Sequence, residues 1–231
     1  MKPDTIIVWP DTIDYPLYRD FLHHNRDKLR KVVIVFTKTN WEFEDLRPFI
    51  KANLANDRII FLDNDPVSGD QDWRDVAIRK ALKPLDGEWI WFTEQDFLPS
   101  ETFWREAYDL AKRTPIFGRY QDGRLHPCCL FMKKAVLDKT SKDFSAKPDL
   151  GYDHFGKIQA ELEGKDVLVG VLVNSAGYHM NGLTHNMYLL QSGEEPNYHP
   201  EEFADYCKKC LELGNLVHPT YEELFDWYLN G

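Results

Sequence analysis

The stretch Pro84-Leu85-Asp86-Gly87-Glu88-Trp89-Ile90-Trp91-Phe92-Thr93-Glu94-Gln95-Asp96-Phe97-Leu98-Pro99-Ser100 decides how the rest of the chain is read. Pro84 and Gly87 end the helical pattern before it. Residues 89–92 are a short apolar run bounded by turn residues, the mark of a strand covered on both faces. Trp89 and Trp91 alternate with Ile90 and Phe92 in that strand and are assigned to packing. The strand runs straight into Thr93-Glu94-Gln95-Asp96, which places two carboxylates one residue apart. In open α/β sheets, ligands bind beyond the carboxyl ends of the strands. Hard cations such as Mg²⁺ and Mn²⁺ take oxygen ligands, usually one or two carboxylates plus substrate phosphates. An acidic pair at this place can therefore share a divalent cation and a sugar hydroxyl. An isolated E-x-D elsewhere would more often only solvate a loop and help cap the helix that Ser100 opens.

Working outward, strand and helix patterns alternate. Residues 6–9 form a short apolar strand ending at Pro10, and Asp14-Tyr15-Pro16 starts a helix whose apolar face is Leu17, Phe21 and Leu22. Residues 32–36 are a β-branched strand, followed by Phe43, Leu46 and Ile50 at helical spacing. A third strand at 58–62 leads to a helix lined by Trp73, Val76, Ala77 and Ala81. Beyond the decisive stretch, Phe103, Ala107 and Leu110 mark a helix, and strands at 116–120 and 125–132 flank an Asp122-Gly123 turn. A helix over about 153–163, a strand at 167–173 and two C-terminal helices complete the chain. Thr220 and Glu223 form a capping box for the last helix. Alternation over the first 110 residues predicts a parallel, Rossmann-like sheet with covering helices.

Composition narrows the function. The chain has 231 residues, with 43% hydrophobic and 29% charged, as in ordinary globular proteins, so disorder and coiled coil are excluded for the whole chain. No apolar run reaches the ~18 residues of a membrane span, and the N-terminal stretch is too short for a signal peptide; the chain reads as cytoplasmic, with no integral membrane segment. Of the four cysteines, Cys128 and Cys129 are adjacent and poorly placed to bridge each other, and Cys207 and Cys210 form a C-x-x-C in an acidic helical stretch without a second pair for zinc. The net charge is -10, and residues 186–231 carry nine acidic against two basic side chains. That surface gives no support for nucleic acid as a partner, whose binding rests on Lys and Arg, although Arg26, Lys28, Arg30 and Lys31 do cluster.

The decisive stretch also carries a resemblance. A helix, then Asp86-Gly87-Glu88, an apolar strand, an acidic D-x-D-like triplet and Leu98-Pro99 resemble the GT-A glycosyltransferases, in particular family 2-type enzymes. The match covers residues 77–99, and the order of elements matches over 5–175. The resemblance implies an α/β fold of GT-A (Rossmann-like) type, with a mixed, mostly parallel central sheet flanked by helices. It implies a nucleoside-diphosphate sugar as donor and Mn²⁺ or Mg²⁺ as cofactor. Asp96 would hold the metal at the diphosphate, and Glu94 would lie near the ribose or the metal. Pro10, Asp11 and Arg79 would lie on the donor side.

The family's later acidic residue, the general base of an inverting transferase, falls at Asp153 within Asp149-Leu150-Gly151-Tyr152-Asp153-His154-Phe155-Gly156. An inverting enzyme needs a carboxylate within hydrogen-bond reach of the acceptor hydroxyl; the bland reading makes Asp153 a helix-start residue favoured by the dipole. A histidine completing the metal site would be His179 or His185 in Tyr178-His179-Met180-Asn181-Gly182-Leu183-Thr184-His185, since neutral imidazole can join carboxylate on Mn²⁺. Trp73, beside the acidic loop, and Tyr152 are the rings placed to stack on a sugar.

Three departures from the family pattern stand out. Glu94 replaces the first Asp, Trp9-Pro10-Asp11-Thr12 replaces P-T-x-N, and residues 37–40 replace D-G-S. The processive Q-x-x-R-W signature is absent. The expected organisation is a GT-A-like catalytic domain over 1–185, with a nucleotide-sugar half at 1–110 and an acceptor half at 111–185, followed by an acidic helical extension over 186–231. The expected function is metal-dependent transfer of a sugar to an unidentified acceptor. The competing readings are a non-catalytic nucleotide- or sugar-binding protein on the same fold and a sugar nucleotidyltransferase. Against the latter, residues 10–15 hold no Gly, Lys or Arg for a triphosphate.

Overall fold

β1 (Asp4–Trp9), β2 (Lys31–Phe36), α1 (Arg47–Leu54), β3 (Ile59–Asp63), α2 (Trp73–Leu82) and β4 (Trp89–Thr93) follow one another in the order the sequence predicts. The computed structural model describes residues 1–9, 22, 25–36, 47–54, 56–64, 72–94, 97–121, 123–152, 154–173, 176–179, 189 and 193–195, and element labels number what is described there. The second half contains β5 (Phe97–Pro99), α3 (Phe103–Ala111), β6 (Ile116–Gln121), β7 (Arg124–Lys133), α4 (Lys134–Leu137), α5 (Gly156–Glu163), β8 (Val169–Leu172) and β9 (Gly177–His179).

Seven strands form one sheet in the order β3-β2-β1-β4-β7-β6-β8, and β5 pairs with β9 in a small second sheet. The β1–β2, β2–β3, β1–β4 and β6–β8 pairs are parallel, whereas β7 runs antiparallel to both β4 and β6. The sheet is therefore mixed and mostly parallel. Chain order reverses beside β1, with β2 on one side and β4 on the other, so the carboxyl end of β4 lies at a switch point.

Both faces of the sheet's centre are covered, which is why residues 6–9 of β1, 32–36 of β2 and 89–92 of β4 are apolar at every position. Trp89 and Trp91 join Ile7, Ile34 and Phe131 on one face, where α3 contributes Phe103 and Ala107. Ile90 and Phe92 join Ile6 and Val33 on the other, under Ala77, Ile78 and Ala81 of α2 and Ile158 of α5. Trp91 stacks on Phe131 with ring centroids 5.1 Å apart, so the packing role expected for the β4 tryptophans holds. At the amino ends of the strands, Asp4 is fully buried and accepts from Arg30 Nη2 at 2.5 Å and from the Gly87 N–H at 2.8 Å.

A bulge in β7 shapes the site end. Gly118 pairs with Leu130 and Tyr120 with Leu125, so residues 126–129 of β7 stand against the single residue Arg119 of β6. Extra residues in one strand bend it and free side chains from the ladder, which admits Pro127 to an interior strand. Gly118 makes the bulge possible, because a Cβ there would lie 2.3 Å from the Cys129 carbonyl oxygen.

Some local expectations shift. Ser100 does not cap α3: the N-cap position is Thr102, and Ser100 offers its backbone oxygen to the Phe103 N–H at 3.1 Å. The helix expected from about 153 begins at Gly156, after Phe155 at φ 65°, whose ring is held between Phe92 and Phe144 at 5.0 Å from each. The strand expected over 167–173 is Val169–Leu172. β5 and β9, three residues each, carry no period long enough to read. Most of the helix expected from Asp14, whose Leu22 is helical and buried, Phe43 and Leu46 of the next helix, the two C-terminal helices with the Thr220 and Glu223 box, the Cys207 and Cys210 pair, and almost all of the 186–231 extension lie outside the described residues. Cys128 and Cys129 are buried and free. Among the described residues, no helix is long and apolar enough to cross a membrane.

Candidate active site

Glu94 is the first residue past β4, anchored by its N–H to the Cys128 carbonyl of β7 at 3.2 Å. Its two carboxylate oxygens take one histidine each. His154 Nε2 lies 2.9 Å from Oε1, and His179 Nε2 lies 3.1 Å from Oε2. On the far side of His154, Arg74 Nη1 lies 3.0 Å from Nδ1. Guanidinium can only donate, so His154 Nδ1 accepts and its Nε2–H donates to Glu94. Arg74 thus sets the tautomer of an imidazole across eighty residues of sequence. His179 faces the same carboxylate through Nε2 and donates to it.

Each group is positioned by a different element. Arg74 stands in the first turn of α2, where the Asp72 side chain caps the helix by accepting from the Arg74 and Asp75 N–H groups. His154 precedes α5, and its carbonyl accepts from Arg124 Nη1 at 3.2 Å. His179 ends β9 opposite Phe97 of β5, so the small second sheet carries it to Glu94. His126 and Cys128 come from the bulge of β7. The His126 ring lies 5.3 Å from that of His179, and its Nδ1 accepts from the Cys128 N–H at 3.2 Å.

Loss of water around Glu94 would raise its pKa, but the hydrogen bonds from His154 and His179 outweigh it and hold the carboxyl well below its ordinary value. Glu94 is therefore ionised throughout the neutral range. Burial lowers His126 from its ordinary 6.5 to about 4, against the pull of Glu94, which leaves a neutral imidazole at pH 7. Burial pushes the Cys128 thiol up. The assembly is a carboxylate cradled by imidazoles, able to orient a ligand or join a cation.

Of the residues singled out in the sequence, Glu94 and His179 are brought into direct contact. Trp73 is beside them through its neighbour, its ring 4.8 Å from the Arg74 guanidinium. Tyr152 lies under the Arg124 guanidinium at 5.1 Å, and the same guanidinium donates to the His154 carbonyl. Arg79 pairs with Asp75 four residues back and lines a cavity of about 800 Å³ with Asn64, Lys80, Asp143 and Lys157. No contact joins it to Glu94 among the described residues. Pro10, Asp11, Asp96, Asp153 and His185 lie outside the described residues.

Reading the sequence missed Arg74, His126, Cys128 and His154. His154 was adjacent to the residue chosen for the base. His126 and Cys128, two apart in a strand, share a face by the two-residue period, which is a signal available without a structure.

No family model and no curated protein matches the chain. Solved structures do. A mannosyltransferase from Pyrobaculum calidifontis, in complex with GDP-Man and Mn²⁺, aligns over 99% of this chain and 74% of its own, with TM-score 0.57 and 15% identity. Glucosyl-3-phosphoglycerate synthase from Mycobacterium tuberculosis, in complex with phosphoglyceric acid, aligns over 94% of this chain and 81% of its own at TM-score 0.52 and 11% identity. The same enzyme with Mn²⁺, UDP and phosphoglyceric acid gives TM-score 0.51 at 10% identity. The fold is GT-A. In that GT-A sheet the Glu94 cluster occupies the carboxyl end of β4, where the acidic triplet was expected.

Proposed function

We propose that this protein is a GT-A glycosyltransferase that moves a sugar from a nucleoside-diphosphate sugar to an acceptor hydroxyl. The observation that carries the reading is the meeting of Glu94, His154 and His179 at the switch-point end of β4, with Glu94 two residues before Asp96 in the sequence. The similar enzymes with Mn²⁺ and nucleotide or nucleotide-sugar bound support the donor class and the metal dependence.

Carboxylate oxygen and imidazole nitrogen are a donor set that suits Mn²⁺, and Mg²⁺ would use the oxygens alone. Asp96, with His179 or His185, would hold the cation. When bound, it supplies Lewis-acid stabilisation to the leaving diphosphate. Glu94, fixed by two imidazoles, would hold the end of β4 rigid where the metal binds. Trp73 would stack on the sugar, and Pro10 and Asp11 would contact the donor nucleotide. Asp153, one residue before His154, would take the proton of the acceptor hydroxyl in an inverting reaction. Arg79, held by its ion pair with Asp75, would meet the donor from the wall of the neighbouring cavity.

The test is release of nucleoside diphosphate from a panel of nucleotide sugars with Mn²⁺. Asp96→Ala should abolish it, and Asp153→Asn should stop transfer to an acceptor while sparing donor binding. Full activity in Asp153→Asn would overturn the base assignment.

One observation favours a second reading, a non-catalytic binding protein on this fold. Glu94 already has a histidine on each oxygen, and such a carboxylate needs no ribose or metal to be satisfied. That protein would bind sugar or nucleotide without releasing diphosphate.

A further inference from the structure

The bulged start of β7 and the end of β9 bring together a donor set of a different chemical kind from the acidic loop. His126, Cys128 and His179 each present a ligand atom, all within 4.8 Å of one another. The three side chains are inside the protein: Cys128 is fully buried, and His179 and His126 are 4% and 7% exposed. Two imidazoles and a thiol match the donors of a tetrahedral zinc site, not those of a hard cation held by oxygen. We propose that His126, Cys128 and His179 form a site for a thiophilic divalent metal, Zn²⁺ in the first instance, with Glu94 holding His179 from behind.

Three features of the geometry support it. Glu94 Oε2 receives the His179 Nε2–H at 3.1 Å, which leaves the lone pair of that ring on Nδ1. A carboxylate behind a histidine is how metal-binding imidazoles are oriented and made more basic. The bulge places His126 and Cys128 two residues apart on one face of β7, facing the ring of His179 at the end of β9. And the set has three protein ligands, the number that leaves a tetrahedral metal one position for water or a substrate oxygen.

Binding has two local costs. The Cys128 S–H bond breaks, its proton leaves to solvent, and the thiolate forms the metal–sulfur bond. The metal also competes with the Cys128 N–H for the His126 lone pair, a hydrogen bond of 3.2 Å at the long end of the range. The edges of a tetrahedral zinc site are about 3.5 Å, so the three side chains draw together on binding. With His179 in this site, His185 is the imidazole left to accompany Asp96 on the donor cation. The site does not depend on sugar transfer, since neither Asp96 nor a nucleotide belongs to it.

Cobalt is the probe. The full chain, stripped with chelator under reducing conditions, is titrated with Co²⁺ and followed in the near ultraviolet for thiolate-to-cobalt charge transfer, then back-titrated with Zn²⁺. One equivalent should develop the band, and Zn²⁺ should bleach it. Cys128→Ser should abolish it, and His126→Gln, the second variant should Cys128→Ser not fold, should weaken Co²⁺ binding at least tenfold. Asp96→Ala, Cys129→Ser and the Cys207→Ser/Cys210→Ser double variant should keep it. No band at saturating Co²⁺ with circular dichroism unchanged, or a band that survives Cys128→Ser and disappears in the Cys207→Ser/Cys210→Ser protein, overturns the assignment. Loss of donor-dependent Mn²⁺ binding in Asp96→Ala with the cobalt band intact separates this site from the donor cation.

Discussion

Two carboxylates at opposite ends of the same sheet show how the choice of partner decides what a sequestered charge does. Asp4, at the start of β1, has no exposed surface and is matched to Arg30 and the Gly87 N–H. Its cationic partner keeps its charge at every working pH, so the arrangement is a fixed lock between β1, β2 and the turn into β4. Glu94, just past the end of β4, keeps 29% of its side chain exposed and is matched to two imidazoles. Those partners have lone pairs and a choice of tautomer. One end of the sheet is built to stay as it is, and the other to meet a ligand.

That contrast breaks first, and most heavily, at the lock. Asp4→Ala removes the partner of Arg30 and of a buried N–H, and should cost about 3 kcal/mol read from the urea midpoint. Donor binding by the folded fraction should be unchanged. A loss below about 1 kcal/mol would mean that the lock contributes little.

Acid should act on the other end. His126 is held neutral down to about pH 4, whereas its unfolded counterpart protonates at 6.5. Above 6.5 both states are neutral; as pH falls from 6.5 to 4, only the unfolded chain takes the proton, so stability is lost over that window. The loss from this group is up to about 3 kcal/mol. Glu94 has the depressed pKa of a hydrogen-bonded carboxylate, so its contribution is full above 4.5 and is lost as pH falls below that. His126→Gln should flatten the upper part of the profile. A wild-type curve already flat between pH 6.5 and 5 would contradict the burial argument.

Glu94→Gln retains size but puts an NH₂ donor where one histidine also donates. One imidazole must turn or change tautomer, and we expect turnover to fall about 100-fold, near 2.7 kcal/mol, with less than half that change in stability. An equal loss of stability would make Glu94 a second lock. The smallest effect belongs to Arg74→Lys, which keeps the charge and loses the planar donor on His154 Nδ1. About a tenfold loss in turnover is expected, with a mixed His154 tautomer in ring-nitrogen NMR; a single unchanged tautomer would remove Arg74 from the account.

What the sequence made legible follows the same division. The strands of the first half are runs of apolar residues between turn signals, so β1 to β4, α1 and α2 could be placed from pattern alone. So could the place of Glu94, because the carboxyl end of a strand is a position that sequence order defines. The second half depends on contacts that leave little local trace. β5 and β9 have three residues each and exist because they pair with one another. The β7 bulge is a register shift, visible only against β6, yet it turns His126 and Cys128 into the site. His154 sat beside the acid that the sequence argument chose, and its role depends on Arg74, which is distant in sequence and close only in the fold.

The central claim is metal-dependent recognition of a nucleoside-diphosphate sugar at the end of β4. Thermal unfolding of the full chain with a panel of nucleotides and nucleotide sugars, each with and without Mn²⁺, tests it most directly. At ~100 times its Kd, one ligand should stabilise the fold by ~2.7 kcal/mol, only with the metal present, and not in Asp96→Ala. No metal-dependent shift with any member of the panel, in protein that unfolds cooperatively, would contradict the claim.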